Sequence, residues 1–309
     1  MNRRQKSIGK NLALFAGILI AAGLFNAWIF HANWDGYFRK DPVMDHGTIF
    51  KYDLGNIPVP DTIFFAGQPV PMTRNRFRKA VHKALKRLMN NRDGAFYHLQ
   101  LADRWLPEIS KILQKKNLPE DLKYIPIVES NLSNVTSPQG AKGFWQLQSA
   151  TARNFGLTIN SSIDQRLDPW ASTEAASDFL IMMYDTIGSW PMVIGGYNMG
   201  IYGILSKMKR QNQDDFYQLR LGAETQAFLP KLIAFKLVIE YPHLYGYPKE
   251  DWEEKHHPFE FFTTDSAFSA AGIEQQFHLA AGTVKRLNPW LFGEGFANPR
   301  RKSFHIRIR

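Results

Sequence analysis

The chain has 309 residues, 44% of them apolar, enough for one or two folded cores. Its 38 Lys and Arg exceed its 28 Asp and Glu, but the surplus lies at the ends, +5 in residues 1–40 and +5 in residues 300–309. The neutral body carries no basic footprint for nucleic acid, and the lack of cysteine excludes disulfides, thiol catalysis and cysteine-held metals.

Residues 11–30, "NLALFAGILIAAGLFNAWIF", contain no charge and follow a basic tail, residues 1–10, with Arg3, Arg4, Lys6 and Lys10. Twenty apolar residues span a bilayer core of about 30 Å as a helix, and the basic flank keeps its side in the cytoplasm. A cleaved signal peptide shares this pattern. The run is long, however, and Phe25 before Asn26 and Ala27 spoils a small-x-small cleavage site. The expectation is one N-terminal transmembrane helix, anchored in the inner membrane with the body in the periplasm. If the end is cleaved, the body is secreted there.

Residues 31–72, with Pro42, Pro58, Pro60, Pro69 and Pro71, read as a stalk that becomes a docked, extended segment at "IFFAGQPVP". Helices dominate residues 73–248. Phe77, Val81, Ala84 and Leu88 repeat at helical spacing, as do Leu101, Trp105, Ile109 and Ile112 in a second helix. A third starts at Pro119 with Glu120 and Asp121 in its first turn. Further helices are stopped by Gly156 and Gly188, and two more apolar runs complete an all-α body near Tyr247. Residues 249–309 change texture: "FEFFTT" and "SFHIRIR" read as short strands flanking two short helices, a small α+β module.

The chemistry concentrates after the third helix starts. Leu122, Ile125 and Glu129 fall at spacings of three and four, so the carboxyl shares the apolar face. Burial there penalises the charged form and raises the carboxyl pKa, as a general acid at neutral pH requires. A glutamate paired to a cation, or one facing water at a frayed end, is the alternative. Downstream, "SPQGAKGFWQLQSATA" combines Gly140 and Gly143 with Trp145 and Gln146, an aromatic face and an amide suited to a sugar groove. By itself this is a weak signal, since Trp145 also suits a core.

The runs "ES", "GAKGFWQLQSATARNFGL", "DPWASTEAASDFL" and "GGYNMG" occur in one order between Tyr124 and Lys231. Together they resemble the catalytic domain of lytic transglycosylases of the soluble-transglycosylase/goose-lysozyme superfamily, especially the membrane-bound murein enzymes. The C-terminal "VKRLNPWLFGEGFANPRRKSFHIRI" is similar to a degenerate lysin-motif (LysM) glycan-binding unit. The resemblance implies a mainly α fold: a lysozyme-like catalytic domain followed by a LysM-like module. It implies peptidoglycan strands as substrate, with Glu129 as the single acid/base and no cofactor. Ser137 and Gln146 would line the glycan cleft with Trp145, and Tyr197 and Asn198 would orient acid and substrate. The absent second carboxylate then has an account: the muramyl 6-hydroxyl is the nucleophile, leaving a 1,6-anhydro end. Gly196, Phe144 and Phe228 depart from the family's residues; Phe228 stands where a tyrosine is common. A hydrolytic goose-type muramidase and a non-catalytic glycan-binding scaffold are the rivals.

Other signals carry less. The nine histidines lack HExxH spacing, so no metal is expected. "GGYNMGIYG" is not a dinucleotide fingerprint, Ser130 has no nucleophile-elbow context, and "RRKSFHIRIR" reads as a solvated strand edge.

Overall fold

The computed structural model describes residues 57–253 and 258–309. The basic tail 1–10, the anchor 11–30, most of the 31–72 segment and the His256–His257 pair lie outside the described residues. Among those described, no helix is long and apolar enough to cross a membrane.

The segment expected to be extended is a hairpin. β1 (Ile63–Phe65) pairs antiparallel with β2 (Gln68–Val70). Ala66 (φ 51°) and Gly67 (φ 73°) are both left-handed, as a two-residue turn between twisted strands needs. Two long helices follow, α1 (Asn75–Asn90) and α2 (Arg92–Lys115). Val81, Leu85 and Met89 form the buried line of α1, with the expected Phe77, Ala84 and Leu88 flanking it. In α2 the core takes Leu99, Leu106, Ile109 and Leu113, whereas Trp105 is half-buried, its ring stacked on Phe259 from the C-terminal segment.

The third helix forms in two pieces, a 3-10 turn at Glu120–Tyr124 and then α3 (Ile125–Ser130), with Pro126 in its first turn. After a loop come α4 (Ser149–Asn154) and α5 (Pro169–Ile187). Asp168 caps α5, accepting from the backbone N–H groups of Trp170 and Ala171, and Gly188 (φ 74°) ends it. The next apolar run breaks at Gly200 into α6 (Trp190–Met199) and α7 (Ile201–Gln211). The mostly apolar α8 (Ala223–Glu240) runs through the centre against α1, α3 and α6.

A buried polar knot fixes the approach to α3. Lys236 of α8 donates to Asp121 (2.8 Å) and Glu240 (2.9 Å), Tyr124 donates to Glu240 (2.8 Å), and the Ala66 N–H of the hairpin donates to Asp121 (2.7 Å). Burial works against the Lys236 charge, but the two carboxylates outweigh it and hold its pKa above the usual range.

In the C-terminal segment β3 (Phe261–Thr264) pairs antiparallel with β6 (Phe304–Arg307), and α9 (Ala270–Gln276) and α10 (Thr283–Leu287) lie between them. A second pair, β4 (Phe268–Ser269) with β5 (Gly295–Phe296), escapes the sequence because two residues show no alternation. This segment is not merely tethered. Its apolar cluster of Ile273, Val284, Trp290, Phe304 and Ile306 includes Ile163 and Leu167 of the helical body. The backbone joins too: Asp164 N–H donates to Trp290 O (3.0 Å) and Phe292 N–H to Ser162 O (2.8 Å).

Candidate active site

Glu129 sits one residue from the end of α3, half-buried, above Ile125 and Leu122, which are fully buried. Burial pushes its carboxyl pKa from 4.5 to about 7; the nearby Glu224 carboxylate adds to this and the Lys231 ammonium opposes it. Among the described residues no donor hydrogen-bonds the carboxyl, so only the Lys231 charge offsets the loss of water. Glu224, Phe228 and Lys231 lie four and three residues apart, on one face of α8. Phe228, where the family commonly has a tyrosine, is buried and puts an apolar ring between those two charged residues.

Behind Glu129 the chain turns abruptly. Asn131 and Leu132 are both left-handed at φ 53°, a conformation that ordinary residues rarely adopt and that surrounding packing must enforce. The enforcement is visible: Leu132 is buried, and the Ser130 hydroxyl donates to Phe144 O at 2.8 Å. That bond ties the end of α3 to the glycine-punctuated loop.

The loop is held from below by a buried ion pair. Arg166 donates to Asp164 through Nε (2.9 Å) and Nη2 (2.8 Å), and its Nη1 reaches the carbonyls of Gly140 (2.9 Å) and Leu147 (3.3 Å). Burial alone would raise the Asp164 pKa, but Arg166 and Lys142 hold it below the usual range. Gly143 (φ +76°) passes so near that a Cβ there would lie 1.8 Å from Arg166 O, which explains why this position is glycine.

The expected site residues divide. Tyr197 comes to Glu129: the carboxylate raises the Tyr197 pKa further after burial has done so, and the hydroxyl donates to Trp145 O at 2.7 Å. Asn198 accepts from Thr225 at 2.8 Å through Oδ1, which leaves its amide N–H groups without a partner among the described residues. Ser137 and Gln146 belong to the loop. Ser137 accepts from the Ala141 N–H (3.0 Å), and the Gln146 amide donates to Gly143 O (2.9 Å) and Val135 O (3.1 Å). Trp145 needs correction as a sugar platform. The inward turn at Gly143 sends its ring into the core, fully buried, with its N–H on Thr173 at 2.8 Å. Only its carbonyl serves the site.

Sequence reading missed Glu224, Lys231, Thr225 and the Asp164–Arg166 pair. They come from α8 and from the turn before α5, distant in the chain, and no local spacing marks them. Among the described residues no group of three or more His, Asp or Glu is placed to hold a metal.

Residues 108–219 match the family described as Transglycosylase SLT domain. Among curated proteins, membrane-bound lytic murein transglycosylase D of Escherichia coli K12 is 33% identical over 153 residues, covering 47% of this chain and 33% of that protein. A putative tributyltin chloride resistance protein of Alteromonas sp. M-1 is 29% identical over 146 residues, 46% of this chain and 70% of that one. The chain therefore spans about a third of the length of the Escherichia coli relative. The crystal structure of the 70 kDa soluble lytic transglycosylase of Escherichia coli overlaps 60% of this chain and 32% of its own, with 18% identity and a TM-score of 0.41. A likeness that loose adds nothing to the assignment.

Proposed function

We propose that the protein is a peptidoglycan lytic transglycosylase that cleaves the β-1,4 bond between N-acetylmuramic acid and N-acetylglucosamine with Glu129 as its single acid/base. The observation that carries this is the Glu129 carboxyl, half-buried, without a donor, and half-protonated near neutral pH. The protonated carboxyl gives its proton to the glycosidic oxygen as the bond to the muramyl anomeric carbon breaks. The resulting carboxylate takes the proton of the same sugar's 6-hydroxyl as that oxygen closes on the anomeric carbon, forming the 1,6-anhydro end. Because the nucleophile is tethered, its attack has an intramolecular advantage and needs no second carboxylate. Tyr197, pinned on Trp145 O, limits where the carboxyl can turn, while the Asn198 amide, Ser137 and Gln146 meet the sugar and its acetamido groups. The C-terminal segment acts as a LysM-like glycan holder, and residues 11–30 anchor the body in the periplasm.

One observation favours hydrolysis instead. Glu224 lies near enough to raise the Glu129 pKa, and a second carboxylate beside the acid is what a water-activating muramidase uses. Mass spectrometry of products from murein sacculi separates the two: anhydro-muramyl ends are expected, against reducing ends carrying one added water. Glu129→Gln should lower release by about 10²–10⁴-fold. Equal, negligible release by both proteins would leave only a glycan-binding scaffold.

A further inference from the structure

Helices α1 and α8 leave a groove of about 530 Å³ between them. Lys83, Ala84 and Arg87 line it from α1, and Ala227, Lys231 and Phe235 from α8. No carboxylate lines it. Three arginines before and at the start of α1 are engaged: Arg74 with Asp215, Arg76 with Gln226 and Arg78 with Asp61. Lys83, Arg87 and Lys231 have no ion-pair or hydrogen-bond partner among the described residues. Three cations facing one apolar-floored groove repel one another, and an anion is the ligand that relieves them. Lys83 and Arg87 are one helical turn apart, about 6 Å along the axis, roughly two residues of an extended peptide. Lys231 joins this groove to the reaction centre, since its charge acts on the Glu129 carboxyl. Both walls lie outside residues 108–219, the segment that matches the SLT family.

We propose that this groove binds the acidic peptide stem carried by the muramyl sugar, so that the enzyme selects glycan bearing peptides with free carboxylates next to the bond it cuts. This rests on the glycan-cleaving reading above. The stem leaves the sugar beside the scissile bond, the carboxylates meet Lys83, Arg87 and Lys231, and the short side chains of the stem pack on Ala84 and Ala227.

The test uses the full chain with Glu129→Gln, which should not cleave, and a free stem tetrapeptide as probe, followed by calorimetric titration. The tetrapeptide should bind, and its carboxyl-amidated form about tenfold or more weaker. Adding Lys83→Glu and Arg87→Glu, both exposed and outside the core, should weaken the acidic form by a similar factor. Equal affinity of the parent and the charge-reversed protein overturns the proposal. So does loss of binding to anionic phosphatidylglycerol vesicles with peptide binding unchanged. A second measurement, with Glu129 intact, compares kcat/KM on peptide-bearing and peptide-stripped glycan strands, where charge reversal should lower the first and leave the second. Failure of the protein with Glu129 intact to cut either strand defeats the glycan-cleaving reading, while the titration still decides the groove.

Discussion

Glu129 shows how much a single residue's surroundings determine. Its acid form prevails below about pH 7, so kcat/KM should fall tenfold per pH unit above that point, measured on soluble glycan fragments. Stability should move the same way. Folding raises this pKa from 4.5 to about 7, so the residue's contribution is intact below about pH 4.5 and is lost as pH rises through 7. Thermal melts of Glu129→Gln should therefore match the parent near pH 4 and exceed it at pH 8, by at most about 3 kcal/mol. A parent more stable than the variant at pH 8 would mean that the carboxylate has a partner. The placement of Glu129 was legible because helical spacing alone puts it with Leu122 and Ile125. The fate of Trp145 was not: a tryptophan just after two glycines reads equally as platform or core, and the close passage of Gly143 under Arg166, a contact between distant segments, decides it.

Among elements, the loop from Gly140 to Leu147 has little structure of its own and borrows its shape from the Asp164–Arg166 pair. The two side chains are 4% and 6% exposed, so removing one strands a buried charge. Arg166→Ala should cost about 3–5 kcal/mol in chemical denaturation. Arg166→Ala with Asp164→Asn should cost clearly less than the sum of the two single changes; additivity would place the pair outside the fold's support. The helices themselves were readable where punctuation is strong, as for α5 between Pro169 and Gly188, or where Gly156 follows α4. The split of the third helix into a 3-10 turn and α3 was hidden, because the Asp121–Lys236 bond that shapes it joins residues 115 apart. Small strands such as β4 and β5 were hidden for want of length.

At the scale of the whole molecule, the C-terminal segment and the helical body share one cluster through Ile163 and Leu167, and Lys302 reaches across to Gly156 O at 3.0 Å. Calorimetry of the full chain should accordingly show the two melting in one cooperative transition; two separated transitions would mean that the shared cluster contributes little. The short stretch from Ser162 to Arg166 touches the C-terminal segment with its backbone and the loop from Gly140 to Leu147 with its side chains. Under the proposed function, a glycan strand gripped by the C-terminal segment would reach Glu129 at one fixed distance, and the length of the released fragments would follow from that spacing.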